Sequence, residues 1–177
     1  MYYLLETNYF IKPTAYRTSS LVTEFKFKPS RWITGNLLGE AKHAIEVELW
    51  QNGGDGLAEM FLDSIPLFSQ KLIKVLKKSG VDNLQTFPVD IVEREGREID
   101  EVYLAVNIIG AFKYSDTGLS ELTDKSLLIG HNNELKMFRS AESLSSIIVN
   151  ESVKQALEKS GFKYLQFRSV PNDVENE

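Results

Sequence analysis

The chain has 177 residues, of which 42% are apolar and 25% are charged. A chain of this length buries about 70% of the surface that its unfolded form exposes, which is enough for a hydrophobic core in one compact unit. Its 20 basic and 25 acidic residues give a formal net charge of −5, which argues against non-specific nucleic-acid binding as the main function. The lack of cysteine excludes disulfides, thiolate nucleophiles, zinc–thiolate sites and iron–sulfur clusters.

Apolar runs are far shorter than the roughly 20 residues of a membrane helix. The N-terminus carries neither a basic region nor an extended apolar stretch. We therefore expect a cytoplasmic protein with no membrane and no nucleic-acid partner. The sequence favours no particular oligomeric state.

The first part of the chain has the pattern of strands and loops. Residues 25–28 and 45–49 alternate with period two, as half-buried strands do. The glycines within residues 53–56 are typical of a hairpin turn, so residues 57–62 should run back as the partner of the strand at 45–49. This predicts a strand-rich N-terminal subdomain over residues 1–62.

The pattern changes over residues 63–171, where we predict an α+β domain that packs with the first part as one compact unit. Apolar positions with helical spacing predict a helix that begins after an N-cap at Ser69 and ends before Gly80. A strand at 87–92 and a nearly continuous apolar strand at 101–109 follow, the latter central in a sheet. A hairpin around residues 130–133, a helix at 151–160 and a strand at 163–169 precede an acidic tail over residues 172–177.

Two segments of this domain align without a gap when the sequence is shifted by 81 residues. The identities include Leu76, Ser79 and Gly80, which fall on Leu157, Ser160 and Gly161. Two explanations fit these matches. Either a helix–Gly–strand unit occurs twice in the chain, or both segments share a common helix ending and the remaining identities are due to chance. The predicted fold class is α+β, with this unit packed on a mixed or antiparallel sheet.

Catalytic and metal-binding patterns are absent from the sequence. His43 and His131 lack metal-ligand spacing, and the glycines at 53–56 lack phosphate-loop spacing. Ser120 and Asp116 could join a histidine in a triad, but the second glycine of a nucleophile elbow is missing. We therefore predict no enzymatic activity, no metal site and no cofactor.

Two charged segments are candidate surfaces. The helix after Ser69 bears lysines and no acid, which fits either a solvated face or a contact for an acidic partner. The predicted hairpin from Asp90 to Glu101 has the opposite sign and could steer a basic partner, although an ordinary solvated hairpin also fits. Its candidate partner-binding residues are Glu93, Glu95, Glu98, Asp100 and Glu101.

Two polar residues interrupt apolar strands. Asn107 needs a hydrogen-bond partner there, and Arg139 at a strand end is expected to pair with a carboxylate. We interpret both as structural ties, with Asp116 as a candidate partner. Direct contact with a binding partner is the alternative.

The order of short motifs over residues 57–168 resembles that of one bacterial family. The motifs include Phe61-Leu62-Asp63, Ile65-Pro66, the helix that ends at Gly80, Phe87-Pro88-Val89, Val106-Asn107-Ile108, Met137-Phe138-Arg139 and Gly161-Phe162. They are similar to those of the immunity proteins of polymorphic-toxin systems, a family first described as a domain of unknown function. The resemblance implies a protein that binds and neutralises a cognate protein toxin, and it offers no catalytic residues.

Two other functions stay open at this point. A small-molecule-binding or enzymatic α+β protein would use a pocket lined by carboxylates. The aromatic residues within the first 32 positions could instead stack on single-stranded nucleic acid, although core packing of strand aromatics explains them too.

Overall fold

The computed structural model describes residues 1–11, 17–19, 29–40, 45–50, 56–63, 65–92, 99–112, 135–141 and 143–170. In chain order the elements are β1 (Tyr2–Thr7), β2 (Arg17–Ser19), a 3-10 helix (Pro29–Ile33), β3 (Ile45–Trp50), β4 (Met60–Phe61), β5 (Leu67–Ser69), α1 (Gln70–Lys78), β6 (Leu84–Val92), β7 (Tyr103–Ile108), β8 (Ala111–Phe112), β9 (Met137–Ser140), β10 (Ile147–Asn150), α2 (Glu151–Lys159) and β11 (Leu165–Ser169). The prediction of an α+β fold is confirmed.

The strands form two mixed sheets. One has five strands in the order β11-β1-β10-β9-β8, and the other has six in the order β2-β3-β6-β7-β5-β4. Neighbouring strands are antiparallel except for the pairs β3–β6 and β8–β9, which are parallel. The apolar strand β7 lies inside the six-stranded sheet, and all of its residues except Leu104 are buried.

Each sheet contains the same arrangement of four strands and one helix. In the first unit, the hairpin β4–β5 leads into α1 and β6, and β7 lies between β5 and β6. In the second unit, the hairpin β9–β10 leads into α2 and β11, and β1 lies between β10 and β11. The central strand is antiparallel to both neighbours in each unit. The N-terminal strand therefore completes the C-terminal unit.

The pairing register is also the same in both units. Tyr103 at the start of β7 faces Ser69, and Tyr2 at the start of β1 faces Asn150. Ser69 and Asn150 are the N-caps of α1 and α2, and the side-chain oxygen of each accepts a backbone amide at 3.2 Å and 3.0 Å. Both helices have nine residues and are followed by a glycine with positive φ. The caps thus fix each helix to the central strand in the same way.

Both units contribute to one core. It joins the inner faces of the two sheets to the two helices and contains Leu5, Leu72, Val106, Val149 and Leu157. A second core lies on the other face of the six-stranded sheet, beneath residues 29–40. There Trp32 packs edge-on against Phe87, with 5.2 Å between the ring centroids.

The N-terminal part differs from the sequence-based expectation in the partner of residues 57–62. Residues 57–62 do not pair with β3, because β4 pairs with β5 while β3 lies between β2 and β6. Met60 and Phe61 are buried in different cores, so their strand needs a place where both faces of the sheet are covered. β1 pairs with β10 and β11, so this N-terminal strand belongs to the sheet of the C-terminal unit.

Several other predicted features fall outside the residues that the structure describes. They are the strand at 25–28, residues 53–55 of the glycine turn, the tip of the hairpin at 130–133 and the acidic tail at 172–177.

Candidate functional site

The structure describes two of the five predicted partner-binding acids. Asp100 and Glu101 lie just before β7, whereas Glu93, Glu95 and Glu98 lie outside the described residues. Asp100 is exposed, and Glu101 is half-buried and forms an ion pair with Lys71 of α1. Glu101 accepts a hydrogen bond from the Lys71 ammonium group, which raises the pKa of Lys71.

A third carboxylate, Glu59, lies at the same end of the six-stranded sheet. The Ser69 amide donates to the Glu59 carbonyl at 2.8 Å, which places Glu59 beside the start of β7. The Glu59 carboxylate accepts the amides of Lys163 at 2.9 Å and Tyr164 at 3.0 Å, just before β11. The sequence did not indicate this residue, because it is an isolated acid whose partners lie about a hundred positions away.

Exposed apolar side chains lie among these acids. Val102 is 54% exposed and Leu57 is 36% exposed. The Tyr103 hydroxyl donates to the Ala58 carbonyl at 2.7 Å and so holds the two segments together. We call the set formed by Leu57, Glu59, Asp100, Glu101 and Val102 the Val102 surface.

Tyr103 is buried beneath the Val102 surface. Burial raises the pKa of the Tyr103 phenol far above its ordinary value, and the negative charges of Glu101 and Glu59 raise it further. The phenol therefore stays protonated at neutral pH and keeps its hydrogen bond to Ala58. Its role here is to anchor the surface and not to accept a proton.

A large aromatic side chain is exposed at the same end of the molecule. Phe10 is 90% exposed, and its amide donates to the Asn8 side chain at 3.0 Å. The Asn8 amide donates to the Tyr164 carbonyl at 2.7 Å, next to the amide that Glu59 binds. Exposed aromatic and aliphatic side chains close to acids are typical of protein-binding surfaces.

Asn107 lies at the centre of a buried polar cluster that holds residues 36–38 on the sheet. Its side-chain amide donates to the Asn36 carbonyl at 2.7 Å and to Gln85 Oε1 at 3.1 Å. Gln85 in turn accepts the Leu38 amide and donates to the Leu38 carbonyl. These bonds satisfy the side-chain nitrogen of Asn107, whereas its buried Oδ1 has no hydrogen-bond partner among the described residues.

Arg139 is also buried, with 1% of its surface exposed. Its guanidinium donates to the carbonyls of Ser145 at 3.2 Å and Trp32 at 3.4 Å, and burial lowers its pKa to about 10. The expected carboxylate is not among its contacts in the described part of the chain, and Asp116 lies outside that part. Arg139 therefore ties β9 to the 3-10 helix through backbone carbonyls.

Within the described ranges, no group of three or more His, Cys, Asp or Glu residues could hold a metal ion. His43, Ser120 and His131 lie outside those ranges. The described helices include none that is long and apolar enough to cross a membrane. Comparison with protein-family models and with curated proteins gives no match to the chain.

Proposed function

We propose that the protein is a cytoplasmic immunity protein that binds a cognate bacterial toxin and blocks it by stoichiometric contact. The main support for this proposal is the Val102 surface, where exposed apolar side chains lie among carboxylates. Apolar anchors surrounded by charged groups are typical of protein–protein interfaces. The order of motifs over residues 57–168 supports the same function through its resemblance to immunity proteins.

The chemistry of the Val102 surface favours a basic partner. Asp100 is exposed and has no ion-pair partner among the described residues, so it can accept a lysine or arginine of the toxin. Val102, Leu57 and the nearby Phe10 offer apolar area that a partner would cover. We therefore expect the toxin to present a face with basic side chains around an apolar centre.

Hydrogen bonds within the protein hold the backbone of the Val102 surface in place. The Gln70 amide donates a hydrogen bond to the Val102 carbonyl at 2.8 Å, and the Ser69 amide donates one to the Glu59 carbonyl, also at 2.8 Å. The buried Tyr103 hydroxyl donates a hydrogen bond to the Ala58 carbonyl, between Leu57 and Glu59. Such preorganisation lowers the entropy lost on association, which suits an inhibitor that must bind tightly.

Affinity capture from the native bacterium tests the proposal, with the tagged chain as bait and mass spectrometry as the readout. The wild-type chain should retain one stoichiometric partner that carries a toxin-like domain. Val102→Asp places a charge in the apolar centre and should abolish retention. Leu144→Asp is the matched control, because Leu144 is exposed to a similar extent as Leu57 but lies in the turn before β10.

Two results would contradict the proposal. Equal retention by the Val102→Asp bait would place the interface elsewhere. Absence of any partner, under conditions in which the toxin is expressed, would exclude direct neutralisation. The alternative of a carboxylate-lined small-molecule site would then be tested by a metabolite screen, although Glu59 and Glu101 already bind groups of the protein itself.

A further inference from the structure

The two helices occupy matching places in their units and share two buried positions, while α1 also buries Ile73 where α2 has Lys154. α1 buries Leu72 and Leu76, and α2 buries Val153 and Leu157 at the corresponding positions. Both helices contribute to the core that the two units share. Packing therefore makes similar demands on both helices, and it does not determine the residues on their outer faces.

The outer face of α1 is uniformly basic. The helix carries four lysines and no acidic residue. Lys71 is paired with Glu101, and Lys74 donates to the Gln70 side chain at 3.3 Å. Among the described residues, no carboxylate pairs with Lys74, Lys77 or Lys78, all three of which are exposed. Neighbouring cations repel each other and create a positive potential above this face.

On the outer face of α2, charged side chains pair with other side chains of the same helix. Lys154 pairs with Glu158 at 2.8 Å, and Gln155 donates to Glu151 at 2.9 Å. Gln155 and Glu158 stand where α1 has Lys74 and Lys77. The helix macrodipole favours lysines only in the last turn, so it does not account for Lys74.

We propose that the outer face of α1, formed by Lys74, Lys77 and Lys78, is a docking surface for an acidic polypeptide segment of a partner protein. Lys71, one turn before Lys74, already pairs with a carboxylate of the same chain, that of Glu101. The net charge of −5 disfavours the phosphates of nucleic acid as the ligand. The inference does not rest on toxin binding at the Val102 surface, because its three residues are different and carry the opposite charge.

A labelled oligoglutamate peptide is the probe that tests this surface, with fluorescence anisotropy as the readout. The wild-type chain should bind the peptide at low salt and release it as salt rises. Lys74→Gln combined with Lys77→Gln should weaken binding roughly fivefold, because two exposed ion pairs are lost. Lys159→Glu on α2 changes the net charge by the same amount and should leave the affinity unchanged.

Three outcomes would overturn the inference. One is absence of peptide binding by the wild-type chain at low salt. Another is an equal loss of affinity in the α1 variant and the Lys159→Glu control, which would show an effect of net charge alone. The third is tighter binding of duplex DNA or of anionic vesicles, which would assign the face to nucleic acid or to a membrane.

Discussion

The two ends at which β7 and β1 enter their sheets share a geometry but not a chemistry. Val102 precedes β7 and Met1 precedes β1, both are exposed, and the carbonyl of each accepts the first amide of a helix. Glu59 lies beside the first end, whereas Lys136 holds the matching place beside the second, with its carbonyl bonded to the N-cap of the helix. The backbone contacts are thus the same at both ends, whereas the flanking side chains differ. Glu59 and Glu101 already bind groups of the protein itself, so Asp100 is the acid of the Val102 surface that a partner can bind.

The outer faces of the two central strands show a second difference. Asn107 faces Gln85 across β7 and β6, and Glu6 faces Gln166 across β1 and β11. Residues 36–38 cover the first pair, whereas Glu6 is only half-buried and pairs with the exposed Arg168 at 2.9 Å. The same scaffold therefore carries a buried polar tie on one side and a surface ion pair on the other.

The largest loss of stability is expected from substitutions of buried residues in the two central strands, β1 and β7. Leu5→Ala should lower the free energy of unfolding by about 3 kcal/mol, because it leaves a cavity in the shared core. Val106→Ala is the matched change on β7. Urea unfolding should show a single transition for both variants, since the two units share that core. Separate transitions for the two units would contradict the shared core.

Removal of the buried polar tie should have the next largest effect. Asn107→Ala leaves the Asn36 carbonyl without its side-chain donor and removes one of the two donors to Gln85 Oε1, and we expect a loss of about 2 kcal/mol. Glu6→Ala at the matching position should cost less than about 0.5 kcal/mol, because exposed ion pairs contribute little. Chemical denaturation of the two variants measures the difference, and equal losses would refute the contrast between the two faces.

The two N-caps should contribute equally. Ser69→Ala and Asn150→Ala should each cost about 1 kcal/mol, because each removes one acceptor for a buried amide. The double variant should lose the sum, since the caps share no partner. Thermal unfolding of the three variants tests this prediction, and a neutral result for either cap would break the equivalence of the two units.

The smallest effect concerns the start of α2, which has an interaction that α1 lacks. The Tyr3 hydroxyl donates to Glu151, and this bond lowers the pKa of Glu151 below its ordinary value near 4.5. Because its pKa is lowered, the Glu151 carboxylate stabilises the fold at pH values above its ordinary pKa. This contribution disappears as the pH falls through the lowered pKa. Tyr3→Phe should be less stable than the wild type at pH 7 and indistinguishable from it in strong acid. A difference that persists in acid would assign it to packing.

Local patterns predicted the helices and the burial of β7 well. Capping residues, helical spacing and Gly80 act over a few positions, so the sequence shows them directly. The place of β1 was not predictable, because strand pairing over more than a hundred residues leaves no local pattern. The partner of β4 was missed for the same reason, since two neighbouring buried residues do not reveal which strand lies beside them.

The candidate site was predicted only where charge is concentrated along the chain. Asp100 and Glu101 belong to an acidic segment of the chain, so the sequence alone indicates them as candidates. Val102 was interpreted as part of an apolar strand, and its exposure depends on where β7 begins. Glu59 and Leu57 join the surface only after β4, β5 and β7 have come together.

Survival of cells that express the captured toxin tests the central claim most directly. Cells that also express the wild-type chain or the Leu144→Asp variant should survive, and cells that express Val102→Asp should die. The protein levels of all three chains must be equal for this comparison. Protection by Val102→Asp as good as that of the wild type, or no protection by the wild type, would contradict toxin neutralisation through the Val102 surface.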